Sequence, residues 1–277
     1  MRRIVTSLLL CAAPLCGATE FSWNTEVDGS LDSGAGSRFG SHQMNLDVPL
    51  ERYSRGRESL STDFHLDLTK FSWQGTTAAE GDYFWVSVPI FYRQKRQGGS
   101  ELHVRFEPGI MTDFDAMGTE NLGVNAEVSG RTYLGRTEFV QYGLIVDRRF
   151  GDMKPRPTLS WATRLTDSTE MLLGFPNTNI QTRWSDEMST FVRIYPAGGF
   201  WREEVDDLET PAVSDVSYVC WHMGIGTEFR WRANAWVSAE IGQLRNRTIQ
   251  ADDATAVSLS GDPGENGYWR LGGSLRF

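Results

Sequence analysis

Four histidines, an Asp-Ser pair and a cysteine two residues from a histidine are the groups in this chain that could do chemistry. His42, His65, His103 and His222 are scattered through 277 residues, and none belongs to an HExxH pair. A zinc site needs Cys and His at short, regular spacing, and the sequence has no such cluster. Asp167-Ser168 sets a hydroxyl beside a carboxylate, but a serine nucleophile also needs a general base and a group to orient it. That pair falls where the sequence reads as a tight turn, and no GxSxG motif marks a nucleophile. Cys220 shares one polar face with His222. A thiol with no second cysteine in the mature chain reads as a small packed residue. "GDMKP" and "GTE" read as turns and not as phosphate-cradling loops. The expectation is a protein that is no enzyme, with no catalytic residues, no cofactor and no metal centre.

Charge at every second position is the more frequent chemical pattern. In "ELHVRFE" Leu102, Val104 and Phe106 interleave with Glu101, His103, Arg105 and Glu107. In "VSYVCWHMGIGTEFRW" Met223, Ile225, Phe229 and Trp231 interleave with His222, Gly224, Gly226, Glu228 and Arg230. Arg164, Arg193, Glu240 and Arg270 occupy equivalent polar positions elsewhere. A second set of charges crowds the connections: Glu203, Glu204, Asp206, Asp207 and Glu209 in one, Asp252, Asp253, Asp262 and Glu265 in another. Carboxylates from several loops are candidate ligands for divalent cations through oxygen, although no spacing matches an EF-hand.

The elements that carry these charges are strands. Successive side chains of a strand point to opposite faces, so period-two alternation gives one apolar and one polar face. No segment has a convincing helical period. Connections alternate between short ("TDS" 166–168, "SDE" 185–187, "RAN" 232–234) and long (147–157, 203–215, 250–266). "TRLTDS" and "TRWSDE" recur at an offset of 19 residues, which fits one strand up, a tight turn and one strand down.

The N-terminus "MRRIVTSLLLCAAPLCGATE" has a basic start and an apolar stretch too short to span a bilayer. It reads as a signal peptide over residues 1–18, leaving 19–277 as one domain. Acylation on Cys16 is the alternative, disfavoured by Leu15 before it. Losing Arg2 and Arg3 takes the formal charge from −9 to −11, which argues against nucleic acid as a partner. No later stretch has the roughly 20 apolar residues of a membrane helix. That criterion does not test β-barrels, whose strands are only half apolar.

Two architectures fit: a soluble β-sandwich with its apolar face inward, or a membrane barrel with that face toward lipid. The number of strands, the charges of both signs on the polar faces, the alternating connections and the tryptophans near strand ends (Trp73, Trp85, Trp184, Trp231, Trp269) favour the barrel. The reading is all-β: a transmembrane antiparallel up-and-down barrel of about 14 strands, or 12 if the hairpin "MLLGFPNTNIQTRW" is irregular. The polar face then lines the lumen with Arg105, Glu107, Arg164, Arg193, Glu228, Arg230, Glu240 and Arg270 as candidates. Val104, Phe106, Phe229, Val237 and Leu271 face lipid.

The chain ends "GYWRLGGSLRF". Trp269, Leu271, Leu275 and Phe277 share one face of this strand. A terminal aromatic preceded by apolar residues at every second position resembles the C-terminal assembly signal of Gram-negative outer-membrane proteins. That resemblance implies the outer-membrane insertion machinery as a partner. "DYFWVSVPIFYR", "ELHVRFEPGIMTDF", "RPTLSWATRLTDSTEMLLGFPNTNIQTRW" and "YPAGGFWR" together resemble an uncharacterised family of bacterial outer-membrane β-barrel domains. The family implies a fold and an outer-membrane location amid lipid and lipopolysaccharide, with no catalytic residues to carry over. The functional expectation is a small passive, porin-like channel with a charged lumen. The alternative is a structural or ligand-binding barrel closed by salt bridges. Gly123, Gly143, Gly224, Gly226 and Gly272 on polar faces favour the pore by lowering bulk, while charges of mixed sign favour the plug.

Overall fold

The alternating segments form strands wherever the sequence keeps period two. The computed structural model describes residues 18–30, 38–74, 82–113, 119–205, 212–252, 258–261 and 266–276. Its strands are β1 (Ala18–Ser30), β2 (Arg38–Arg55), β3 (Glu58–Gln74), β4 (Asp82–Ser87), β5 (Ile90–Lys95), β6 (Ser100–Thr112), β7 (Leu122–Tyr133), β8 (Phe139–Val146) and β9 (Arg156–Arg164). They continue as β10 (Thr169–Phe175), β11 (Thr178–Arg183), β12 (Met188–Pro196), β13 (Gly199–Val205), β14 (Ala212–Arg232), β15 (Ala235–Asp252), β16 (Ser258–Gly261) and β17 (Gly267–Arg276).

Three staves of the wall are each built from two segments. β4 and β5 both pair with β3 and β6, and the break falls at Val88-Pro89, where proline has no N–H for the ladder. β12 and β13 both pair with β14, broken at Ala197-Gly198. β16 and β17 both pair with β15. Seventeen segments therefore make fourteen staves. β1 pairs with β2 on one side and β17 on the other, which closes the sheet into an antiparallel barrel. The count is the expected fourteen, because "MLLGFPNTNIQTRW" forms a regular hairpin, β10–β11.

The wall is uneven in height. β14 and β15 have 21 and 18 residues, whereas β10 and β11 have 7 and 6 and meet in a two-residue turn at Pro176-Asn177. A membrane-crossing strand needs roughly 9–11 residues. The ladder between β11 and β12 ends at Ile194, so the rest of that stave, through β13, extends past its neighbour. Other segments cover the exposed edge. Ser217 Oγ donates to the Gly151 carbonyl at 2.6 Å, Asn121 Nδ2 donates to the Arg202 carbonyl at 3.3 Å, and Arg202 donates to the Glu120 carbonyl.

The barrel end that carries the long connections is filled by side chains. Trp201 of β13 packs edge-on against Phe71 of β3 (5.6 Å between centroids) and at a tilt against Tyr83 of β4 (5.5 Å). Tyr218 of β14 meets Phe39 at 5.6 Å and Phe71 at 5.4 Å. Trp85, Met111, Leu244 and Ile249 belong to the same buried cluster. Trp85 is thus an interior residue and not part of an interfacial belt, whereas Trp184 and Trp231 stand exposed at the short-turn end. Exposed apolar side chains such as Phe106, Ile225, Ile241 and Leu271 cover the opposite face of the strands.

Candidate functional site

The polar groups are distributed in layers along the inside of the sheet. On β6, Arg105 and Glu107 stand two residues apart and are ion-paired. Glu107 also accepts from Trp85 Nε1 (2.8 Å), Ser87 Oγ (2.7 Å) and Asn125 Nδ2 (3.3 Å). A buried carboxylate persists only with its lone pairs filled in this way. Arg193 of β12 reaches past β14 to Glu240 of β15, with Nε 2.8 Å from Oε2, and the Tyr268 hydroxyl donates to Oε1 at 2.5 Å. Gly224 on the intervening strand makes this possible, since a Cβ there would overlap both Tyr268 and Glu240. Gly123 likewise admits Met111 and Trp85. These two glycines make room for neighbouring side chains and do not widen a pore.

The other expected residues are placed separately. Arg164 pairs with Glu170 at 3.0 Å, and Glu228 pairs with Arg276. Arg230 donates to the Asp186 carbonyl at 2.6 Å and lies over the Trp236 ring. Arg270 donates to Ser22 Oγ at 2.8 Å and to the Tyr195 hydroxyl at 3.3 Å, both neutral acceptors. Of the eight, the fold pairs Arg105 with Glu107 and Arg193 with Glu240.

Two clusters were invisible to sequence spacing. In the first, Glu26 of β1 meets His222 Nε2 at 2.9 Å and Arg247 Nη2 at 3.2 Å, and accepts from the Tyr218 hydroxyl. Cys220 adjoins it, and the ligand atoms of Glu26, Cys220 and His222 lie within 4.8 Å of one another. Such an O, N, S set suits zinc-like ions, but Arg247 already supplies the cation that Glu26 needs. In the second, Arg148 from the β8–β9 connection is buried against Asp67, with its guanidinium 5.3 Å from the ring centroids of both Trp85 and Trp201. Beside it Asp147 accepts from Arg149 N at 2.9 Å and Nη2 at 2.6 Å. Burial alone would raise the Asp147 carboxyl, but the charge and hydrogen bonds of Arg149 hold it down to about 2.

Cavities with charged side chains on their walls lie among these groups. One of about 590 Å³ is bordered by Arg193, Arg270 and Glu228. A second of about 520 Å³ is bordered by Arg105 and Arg164, a third of about 200 Å³ by Asp67, Glu107 and Arg148, and a fourth of about 580 Å³ by Arg93 and Arg105. Arg149 borders the first three. Trp269, Leu271 and Leu275 stand exposed on one face of β17, which is paired on both sides, so the folded chain leaves no free edge there. Phe277, residues 1–17 and the acidic side chains of loops 203–215 and 250–266, Asp215 excepted, lie outside the described residues.

No protein-family model and no curated protein sequence matches the chain. Among solved structures it is similar to the COG4313 outer membrane channel from Pseudomonas putida F1, with 11% identity, a TM-score of 0.50, and coverage of 96% of this chain and 97% of that one. The KdgM porin in complex with disordered oligogalacturonate matches at 11% identity and TM-score 0.38, covering 93% and 99%. The Pseudomonas putida toluene transporter TodX matches at 7% identity and TM-score 0.38, covering 95% and 90%. The fold is that of bacterial outer-membrane β-barrels.

Proposed function

We propose that the protein is a small passive channel of the Gram-negative outer membrane, exported by its signal peptide and surrounded by lipid and lipopolysaccharide. Of the eight charged residues of the polar face, Arg105, Arg164, Arg193, Glu228 and Arg270 border its water-filled path and set its ion preference, with Glu107 and Glu240 buried in the wall behind them. One observation carries this reading: cavities with charged side chains on their walls, three of them sharing Arg149, lie beside an interior that is otherwise packed with aromatic side chains. The path therefore leaves the barrel axis beneath the 147–155 connection, where the β10–β11 hairpin leaves the wall low. Irregular backbone at membrane depth is tolerated where it is buried in protein or lines a water-filled cavity. Asn177 at that turn borders the first and second of these cavities.

Arg148 clamps the connection to Asp67, so the described state is closed or nearly so. Purified protein in planar bilayers should give small, infrequent conductance steps, and Arg148→Ala should raise the open probability severalfold. Silence from both proteins would sink the channel reading and leave a closed structural barrel. Divalent cations at the acidic loops are part of the same proposal, through bridging of lipopolysaccharide phosphates.

Assembly offers a separate check. The protein should fractionate with the outer membrane and migrate on gels in a heat-modifiable form. Phe277→Asp should cut that folded fraction far more than an Asp substitution within 253–257. Equal yields would show that the terminal aromatic is no signal to the insertion machinery.

A further inference from the structure

The two cavities on the β2–β11 side of the barrel have an unbalanced chemistry. Arg52, Arg93, Arg105, Arg131, Arg136 and Arg164 border them, against Glu127 and Glu170 as the bordering carboxylates among the described residues. Several of these arginines do have partners: Arg164 and Glu170 are both exposed, and three other pairs around these cavities are lopsided. Glu101 is 6% exposed and its partner Arg93 is 41% exposed. For Glu107 and Arg105 the values are 1% and 27%, and for Asp147 and Arg149 they are 1% and 35%. In these three pairs the carboxylates are sunk into the wall and the guanidinium groups stand in front of them.

Other arginines lack even that compensation. Arg131 reaches a carboxylate only at 3.9 Å, on Glu101, which already holds Arg93 and His103. Its Nε and that of Arg105 are buried without a hydrogen-bond partner. Arg136 and Arg52 have no ion-pair partner among the described residues. Glu127 faces Arg105 in the ladder but is held by Gln141 at 3.3 Å.

Composition does not produce this pattern. The chain carries a formal charge of −9, so a cationic cavity inverts its average. Of its 27 basic residues, Lys70, Lys95 and Lys154 are the lysines, leaving 24 arginines. None of the three lysines borders these two cavities. Lysine would serve as well for bare positive charge. The planar guanidinium adds a fork of donors that fits the two oxygens of a carboxylate or phosphate. Aromatic rings lie between the forks: Phe139 under Arg131 at 4.2 Å and Phe91 near Arg105 at 5.9 Å. Arg136 sits in the short β7–β8 connection, which places one end of the arginine track at the short-turn mouth.

We infer that this arginine-lined vestibule binds and concentrates small organic anions that present carboxylate groups. The inference rests on the channel reading for its physiological meaning, and its test separates the two. Charged walls around a low-dielectric cleft focus potential and raise the local concentration of the opposite ion. The track works by relay: forks already steadied from behind by a buried acid offer their outward N–H groups, and Arg131, held by the neutral Gln141 at 2.9 Å and only distantly by Glu101, starts the series with Arg136 at the mouth.

The variant for testing is Arg131→Gln/Arg136→Gln, which orphans no buried carboxylate, as Arg105→Gln would orphan Glu107. Heat-modifiable migration serves as the folding control. Calorimetry of the folded protein in detergent should show saturable citrate binding, weakened at least tenfold in the double variant and suppressed by salt. Inorganic phosphate should bind more weakly, and tetraethylammonium should not bind. No saturable citrate binding, citrate binding unchanged in the double variant, or phosphate binding tighter than citrate would overturn the inference. In a bilayer under a KCl gradient the reversal potential should show chloride preference, reduced in the variant. Cation preference would overturn the inference and leave the channel standing. Silent bilayers with intact citrate binding would remove the channel and leave the anion site.

Discussion

Replacing Glu26 with Leu should destabilise the barrel by about 3–5 kcal/mol, the cost of breaking a buried ion pair from one side. Glu26 and Arg247 are both fully buried, and the carboxylate also receives His222 and the Tyr218 hydroxyl. Without it, the guanidinium of Arg247 stays in a dry interior beside the Phe39 ring, with the Tyr218 hydroxyl and the Val27 carbonyl as its remaining acceptors. Domain stabilities of roughly 5–15 kcal/mol leave little margin for such a loss. The discriminating variant is the double replacement Glu26→Leu/Arg247→Leu. Removing both charges eliminates the desolvation penalty, so the double variant should be more stable than Glu26→Leu alone. Urea titration of the protein folded into vesicles measures both. A single variant as stable as the native chain would show that the cluster does not hold β1 to β14 and β15.

The sequence makes the sheet legible wherever one strand face is apolar and the other polar. Glu107 and Phe106 illustrate it: neighbours in the chain, one buried under three hydrogen-bond donors and an arginine, the other exposed. Alternation fails in "DYFWVS", where both faces are aromatic or apolar. Trp85 resembles a belt residue there, yet it is packed inside with Phe71 and Trp201 in the same cluster. Period two gives the phase of a strand only when its two faces differ, and in the long-loop half of this barrel they do not. Contacts made by ring closure are hidden for another reason. Glu26 meets His222 across 196 positions and Arg247 across 221, and no local pattern encodes which stave closes on which. The notch is also hidden, because strand length at β10 and β11 is set by Gly174, Pro176 and Asn177, which read equally well as an irregular hairpin or a short regular one.

Outward-facing apolar residues supply the second large effect, and it depends on depth. Val192, Ile225, Ile241 and Trp269 line up across four neighbouring strands in successive register, and all four are exposed. Ile225 lies well inside β14, while Phe229 is close to the turn that follows Arg232. An arginine facing lipid costs about 2–4 kcal/mol at the bilayer midplane and about 0–1 kcal/mol near an interface. Ile225→Arg should therefore reduce folding into vesicles by the larger amount and Phe229→Arg by the smaller. Arg230→Ser should leave insertion unchanged, since Arg230 is on the opposite face and donates to the Asp186 carbonyl near the turn. The ordering tests side-chain orientation and height together. Urea titrations that ranked Phe229→Arg as more damaging than Ile225→Arg would displace the hydrocarbon band toward the short-turn end. Tolerance of both would mean that this face meets water, and a soluble β-sandwich would then account for the alternation better than a membrane barrel.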